Sequence, residues 1–517
     1  MNGLDIFIVV AYSIAMLSLG FFFKEQKNKK DYFLGGRSFG WFAMGLSTMA
    51  SQLSAISFIS AAAFVGLKLN GGMKWLTFEF AVPLAMIFLI VVLIPPLYKS
   101  GVVSIYEFLE KRFGVSTRIL ISGVFQFSRA FSTGIMIYTV ALVLSAVMEI
   151  PQWQTILIAG VITIVYSYQG GMKAVVWGDV IQMIILVFGI FICIGYGWSL
   201  LGGWSVLMEN VDQARLPVVD FNWGIGQGQE FGFWPMVIGG FFLYVSYYGC
   251  DQSQAQRSLS GKSIKEVRRA LLFNGLFRFP VTLAYCFMGL IIGTLAMKDA
   301  SFMAMIPKDK PDYMIPIFII NYLPHGIIGL LLVAILAAAM SSLSSAINSL
   351  SAATVEDFIE RNRSKKLTGD EQLKYSKMMT IFWGVICIIL AFSAGNIAST
   401  VIEAINKVGS AFYGPILATF LLAILTRRAN TLGVNIGLFL GVGVNLTIWI
   451  LQIPIFWIWW NLIGAVITFG SGYVISLFTR GVQSSSVVER PIFKFFQWEN
   501  YVLLVFFFVI IIFSMAL

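Results

Sequence analysis

Two stretches of this sequence carry more hydroxyls than their apolar surroundings explain. The first is Ser47-Thr48-Met49-Ala50-Ser51-Gln52-Leu53-Ser54-Ala55-Ile56-Ser57. The second begins at Ala337-Ala338-Ala339-Met340 and then holds five serines in the nine positions from Ser341 to Ser349. On a helix, residues three and four apart share a face, so Ala338, Ser341, Ser342 and Ser345 form one stripe. A small hard cation asks for several oxygen ligands and little else. Two hydroxyls and a carbonyl from this stripe, with two carbonyls from a broken partner helix, would make such a cage. The bland reading of both tracts is helix packing, because Ser and Thr let helices approach and bond to one another. For the first tract the two readings balance; for the second, the density of serines favours the ion.

Few charges stand inside apolar segments: Glu79, Arg129, Asp179, Arg278, Glu403 and Lys407. Such residues are costly in lipid and default to functional hypotheses. Glu403 and Lys407 stand four apart and read as a local ion pair. Asp179 follows Gly170-Gly171-Met172-Lys173-Ala174-Val175-Val176-Trp177-Gly178. It is either a helix-start acid favoured by the dipole or the carboxylate of a cation site. No Walker-type phosphate loop is present, which argues against an ATP-driven pump. No nucleophile, base and metal set converges, so no enzyme is expected. The single histidine, His325, excludes a multi-histidine site and reads as structural. Cys193, Cys250, Cys286 and Cys387 fall in or at the ends of apolar segments and read as buried thiols.

These residues need elements to hold them, and composition says which. Of 517 residues, 58% are hydrophobic and 12% charged, where soluble domains carry roughly 25% charged. The 14 tryptophans suit a chain with many membrane interfaces. Apolar runs cover 6–23, 41–65, 75–97, 119–147, 155–168, 175–201, 233–248, 271–296, 327–350, 378–394, 401–424, 434–450, 455–478 and 501–515. A bilayer-spanning helix needs about 20 such residues, and lipid forbids open strands, so about 14 helical spans are expected in one domain. The net charge of +10 comes from short loops with no basic stripe, so nucleic acid is not a partner. Arg37, Lys99, Lys111, Lys173, Arg257, Lys262, Arg361, Arg427 and their basic neighbours all fall on one side if the count is right. By the positive-inside rule that side is cytoplasmic, both termini lie outside, and the protein sits in the plasma or inner membrane. Met1-Asn2-Gly3-Leu4-Asp5 lacks a basic leader region, so the first run is expected to stay as a helix.

Five marks, in order, carry a resemblance. They are Lys30-Asp31-Tyr32-Phe33-Leu34-Gly35-Gly36-Arg37-Ser38, Ile105-Tyr106-Glu107-Phe108-Leu109-Glu110-Lys111-Arg112-Phe113, Gly170 to Gln182, Gln256-Arg257 and the serine-rich tract. Together they make the chain resemble the sodium:solute symporter family over nearly its whole length. The resemblance implies an all-α, leucine-transporter-like fold of two five-helix inverted repeats with flanking helices. Here that means 41–201 and 233–424, with an extra N-terminal helix at 6–23 and C-terminal helices over 434–515. It implies Na⁺ as coupling ion at Ala50, Leu53, Ala338, Ser341 and Ser342, the cage that spacing also gives. Asp179, Ser342, Ser344 and Ser345 match the second sodium set of some members.

For the solute, sugar-carrying relatives imply Glu79 behind the aromatic Phe78, with Tyr247 closing from inside. The chain departs from them at Ser57, Tyr244 and Asn406, and Arg278 falls within about a turn of their lysine. Sialic acid carriers imply hydroxyls such as Ser51, Ser54 and Ser57, and an arginine. Arg129 stands about one turn from that place, and a guanidinium suits a carboxylate. The expectation is sodium-coupled import of a small polar organic solute, leaning to a sugar or polyol, with an organic anion as the alternative. No oligomer is required. A passive channel and a membrane-bound solute sensor are the rivals from other classes.

Overall fold

The structure, a computed structural model, describes residues 2–22, 34–53, 55–148, 150–361, 367–397, 400–479 and 495–517. Among them, nine helices are long and apolar enough to cross a membrane, and five shorter apolar helices accompany them. Each coincides with one of the runs read from the sequence. The shared cause is that a backbone in lipid must satisfy its own hydrogen bonds.

One difference concerns 155–168 and 175–201, which join in a single helical stretch, Gln152–Leu201, of 50 residues. At 1.5 Å per residue a straight helix of that length would reach about 75 Å, more than twice the roughly 30 Å hydrocarbon core. The stretch instead crosses twice. Lys173, near its middle, packs against Gly35. Its first turn bonds to the far end of Val115–Met148, through Thr155 Oγ1 to the Ala141 carbonyl at 2.9 Å. Its last turns, at Gly197, lie on Ile291 and Ile292 near the far end of Ile264–Lys298.

The loops segregate to two ends, as alternate crossings require. At one end Lys262 N donates to the Phe39 carbonyl, Tyr98 to Gly261, Ile105 N to the Gln252 side chain and Arg112 to the Thr426 and Arg427 carbonyls. At the other, Arg215 donates to the Val65 and Lys68 carbonyls, Thr77 to Val218 and Gly226 N to Pro454. The N-terminal helix Gly3–Phe22 is tied to the start of Ile327–Ala353. Asp5 accepts from Gly326 N at 2.7 Å, Gly329 N at 3.0 Å and the His325 ring at 2.9 Å. A carboxylate at a helix N-terminus meets both its free N–H groups and its dipole. His325 is thus structural, and the four cysteines are buried and free.

Candidate ion and solute site

Both tracts rich in hydroxyls face the protein interior. The first is a broken helix. Trp41–Ala50 stops, Ser51 to Leu53 turn, and the helix resumes through a wide π-helical turn, Ser57–Ala61, into Ala62–Gly66. The resumed half is pinned by close approach. A Cβ at Gly293 would lie 2.4 Å from the Gly66 Cα, and one at Gly289 would lie 2.3 Å from the Ala62 carbonyl. Small residues let these two backbones touch.

A second break is its counterpart. Gly240–Cys250 ends at Asp251, whose backbone is extended (φ −89°, ψ 122°), and Gln252–Leu259 follows. Asp251 caps the new helix, accepting from Ser253 N at 2.8 Å and Ser253 Oγ at 2.6 Å. The sequence reading takes 233–248 as one plain span and misses this break. Its local signal is a capping aspartate, Asp251, followed by a polar helix. The two breaks meet: Tyr247 OH donates to the Ser51 carbonyl at 3.4 Å, and Tyr248 OH hydrogen-bonds the Gln52 side chain.

Of the residues predicted for sodium, Ala50, Leu53, Ser342, Ser344 and Ser345 are all buried, between 1% and 5% exposed. The side chains of Ala338 and Ser341 lie outside the described residues. The two tracts are joined through Arg257, which is fully buried. Its guanidinium donates to Ser47 Oγ at 2.8 Å, to Asp179 Oδ2 at 2.9 Å and to Ser345 Oγ at 2.9 Å. Ser47 also hydrogen-bonds Asp179. Ser47 precedes Ala50 by three residues and Ser345 follows Ser342 by three, so each lies about a turn from its sodium residue. Asp179 therefore does not simply open a helix: it is fully buried, and its Oδ1 has no hydrogen-bond partner. Sequence reading names Arg257 only as part of a motif, and it overlooks Ser47 as a ligand of Asp179.

Beside the first break lies a cavity of about 70 Å³. Of the predicted solute residues it is lined by Ser57, Phe78, Glu79, Arg129, Tyr247, Arg278 and Asn406. Tyr244 stands behind Glu79, with its ring 4.9 Å from that of Phe78. Ser54 lies outside the described residues. Ser51 also lines the wall, as do Gln52, Trp75, Tyr285 and Tyr413, which the sequence reading does not select. Nothing local distinguishes those four from other buried polar and aromatic residues.

The cavity holds two arginines in different settings. Arg278 is 3% exposed and grips Glu79 with both edges of its fork, Nε to Oε2 at 2.5 Å and Nη2 to Oε1 at 2.9 Å. It also donates to Tyr248 OH at 3.1 Å and Tyr244 OH at 3.3 Å. Arg129, also 3% exposed, reaches Asp251 Oδ2 at 3.5 Å, and its Nε has no partner. The remaining interior charges correct the sequence reading. Glu403 pairs with Lys68, 3.1 Å away across the fold, while Lys407 lies over the Trp449 ring at 5.6 Å. Four-residue spacing permits the Glu403–Lys407 contact, but Lys68 enters from the end of the broken helix.

Known proteins share this fold. The fold matches that of a Na⁺-coupled sialic acid symporter in a substrate-bound outward-open state, with a TM-score of 0.84 at 24% identity over 93% of this chain and 99% of that one. Mhp1, a nucleobase-cation-symport-1 family transporter, is more distant, with a TM-score of 0.53 at 14% identity over 92% and 97% of the two chains. These likenesses establish the leucine-transporter-like fold. In sequence, the human sodium/iodide cotransporter is 30% identical over 82% of this chain, which spans 65% of that protein's length. Human sodium-coupled monocarboxylate transporter 1 is 31% identical over 81% of this chain and 68% of its own. A putative sodium-dependent multivitamin transporter of Drosophila melanogaster is 30% identical over 85% and 73%. The description "Sodium:solute symporter family" matches residues 32–441. Two broken helices, serine-rich tracts bridged by the buried Arg257 and relatives over most of the length agree: the chain belongs to the sodium:solute symporter family.

Proposed function

We propose that the protein is a sodium-coupled symporter of a small organic anion, with Na⁺ held by Ala50, Leu53, Ala338, Ser341 and Ser342. The observation that carries the anion reading is Arg129. It is buried in the cavity wall, reaching its carboxylate by one long contact and two tyrosines, Tyr247 and Tyr413, by hydrogen bonds, with its Nε donor to spare. A buried guanidinium with an unused N–H is matched by a carboxylate or similar anion. The named relatives support this, since iodide and monocarboxylates are anions. A sugar or polyol is less well served. Glu79, the residue that reading relies on, has both oxygens engaged by Arg278.

Asp179 Oδ1 is the oxygen a second Na⁺ would take, together with Ser342, Ser344 and Ser345. The repeats are read as 41–201 and 233–424, each opening on a broken helix, with the basic loops cytoplasmic and both termini outside. Ion binding biases alternating access only through its different affinity for the two states.

The test is uptake into reconstituted vesicles. A panel of monocarboxylates, sialic acid and neutral sugars is offered under inward Na⁺ or K⁺ gradients. Uphill uptake of an anion with Na⁺ alone is expected. Uphill uptake of a neutral sugar alone would overturn the anion reading, and uptake indifferent to Na⁺ would overturn coupling. Ser342→Ala should raise the Na⁺ concentration for half-maximal uptake about tenfold or more, the effect of losing one hydrogen-bond-strength ligand contact; unchanged Na⁺ dependence would refute the assigned ion site.

A further inference from the structure

We infer that the protein groups around the solute cavity are electrically neutral in sum, and that the bound anion draws in Na⁺ by charge, with Asp251 setting the balance. Resting on the anion reading above, this supplies a physical origin for coupling. The charged residues lining the cavity are Glu79, Arg278 and Arg129, and Asp251 stands behind Arg129. Glu79 and Arg278 cancel through their two-bonded pair. Arg129 is offset by Asp251, 4% exposed, at 3.5 Å. The next pair inward, Asp179 and Arg257, also cancels.

An anion entering this site brings one uncompensated negative charge into a buried region. Its counter-ion is the Na⁺ beside the break at Ala50 and Leu53, a few residues along the chain from the cavity-lining Ser51 and Gln52. Anion and Na⁺ are then each bound better in the other's presence, a reciprocal coupling free energy. Asp251 is the positioning residue in this scheme. Were Arg129 unpaired, the site would carry a resident positive charge, the anion would need no Na⁺, and the cation would be repelled. The long contact suits that role, because Arg129 can turn to the anion while Asp251 keeps its capping bonds to Ser253.

The test needs no knowledge of the solute. Na⁺ binding to the purified, solute-free full chain is measured by ²²Na⁺ equilibrium binding. Asp251→Asn leaves a net positive site and should weaken Na⁺ binding. Asn caps a helix as well as Asp does, so the fold is kept. Arg129→Gln leaves a net negative site and should tighten Na⁺ binding. Each shift should be on the order of tenfold, the Coulomb effect of one nearby buried unit charge at an effective permittivity of about 20. Asp251→Glu should restore the wild-type value, and the double variant Asp251→Asn with Arg129→Gln should lie near it. Structural damage would weaken binding in both single variants. Shifts in the same direction, or none, would overturn the inference. Failure of the anion reading shows separately, as vesicles that accumulate only neutral solutes.

Discussion

Arg278 and Arg129 share one cavity wall, one degree of burial and one charge, yet the fold uses them differently. Arg278 meets Glu79 through two short bonds and spends further donors on two tyrosines. Arg129 meets Asp251 through one contact of 3.5 Å and keeps an unpartnered Nε. A bidentate, fully engaged guanidinium is a strut, since moving it would strand two buried charges. The other partners of Arg129 are the neutral hydroxyls of Tyr247 and Tyr413, so a guanidinium with one loose carboxylate and a free Nε is available to a ligand. The cavity therefore combines a fixed wall with an adjustable one. Asp312 gives a third setting for a buried charge. It holds hydrogen bonds from Val401 N, at 3.0 Å, and from Ser60 in place of an ion pair.

The contrast is open to direct attack. The largest effect is expected from Arg278→Ala, which leaves Glu79 buried and alone; stability should fall by about 3–5 kcal/mol. The thermal unfolding midpoint of the purified protein reads this, and a small drop would mean Arg278 is no strut. Arg129→Gln should cost less stability, because Asp251 retains its bonds to Ser253. It should instead weaken anion binding by about 1.5–3 kcal/mol, roughly tenfold or more. Equal thermal losses in the two variants would erase the distinction.

The smallest effect concerns Asp312. Burial, against the Ser60 and Val401 bonds, raises its pKa from 3.8 to about 6. The folded state then holds this proton more tightly than the unfolded state. Its contribution is fully present below about pH 4 and is lost as pH rises through 6. The slope is no more than about 1.4 kcal/mol per pH unit. Asp312→Asn should flatten that part of the midpoint-against-pH curve, and an unchanged curve would refute the assignment.

Much of this was legible in the chain. The apolar runs correspond to the apolar helices because lipid leaves a backbone no other way to satisfy its N–H and C=O groups. In the serine tract, Ser342, Ser344, Ser345 and Ser349 are buried, as an inward-facing stripe requires. The polar string at Ser47 to Ser57, balanced between packing and a break, is a break. The break at Asp251 was missed because a capping acid beside a polar helix also marks an ordinary loop.

What the sequence by itself determined is local: which segments cross the bilayer, which faces carry oxygen, and that six charges lie inside. Helical spacing and burial cost act over a few residues, so they can be read from a few residues. Only the tertiary structure decided the partners. Glu79 finds Arg278, Asp179 finds Arg257, Arg129 finds Asp251, and Glu403 finds Lys68 in place of its near neighbour Lys407. These contacts join residues at least 78 positions apart, and no spacing rule spans that separation. A buried charge takes the partner that packing brings within bonding distance.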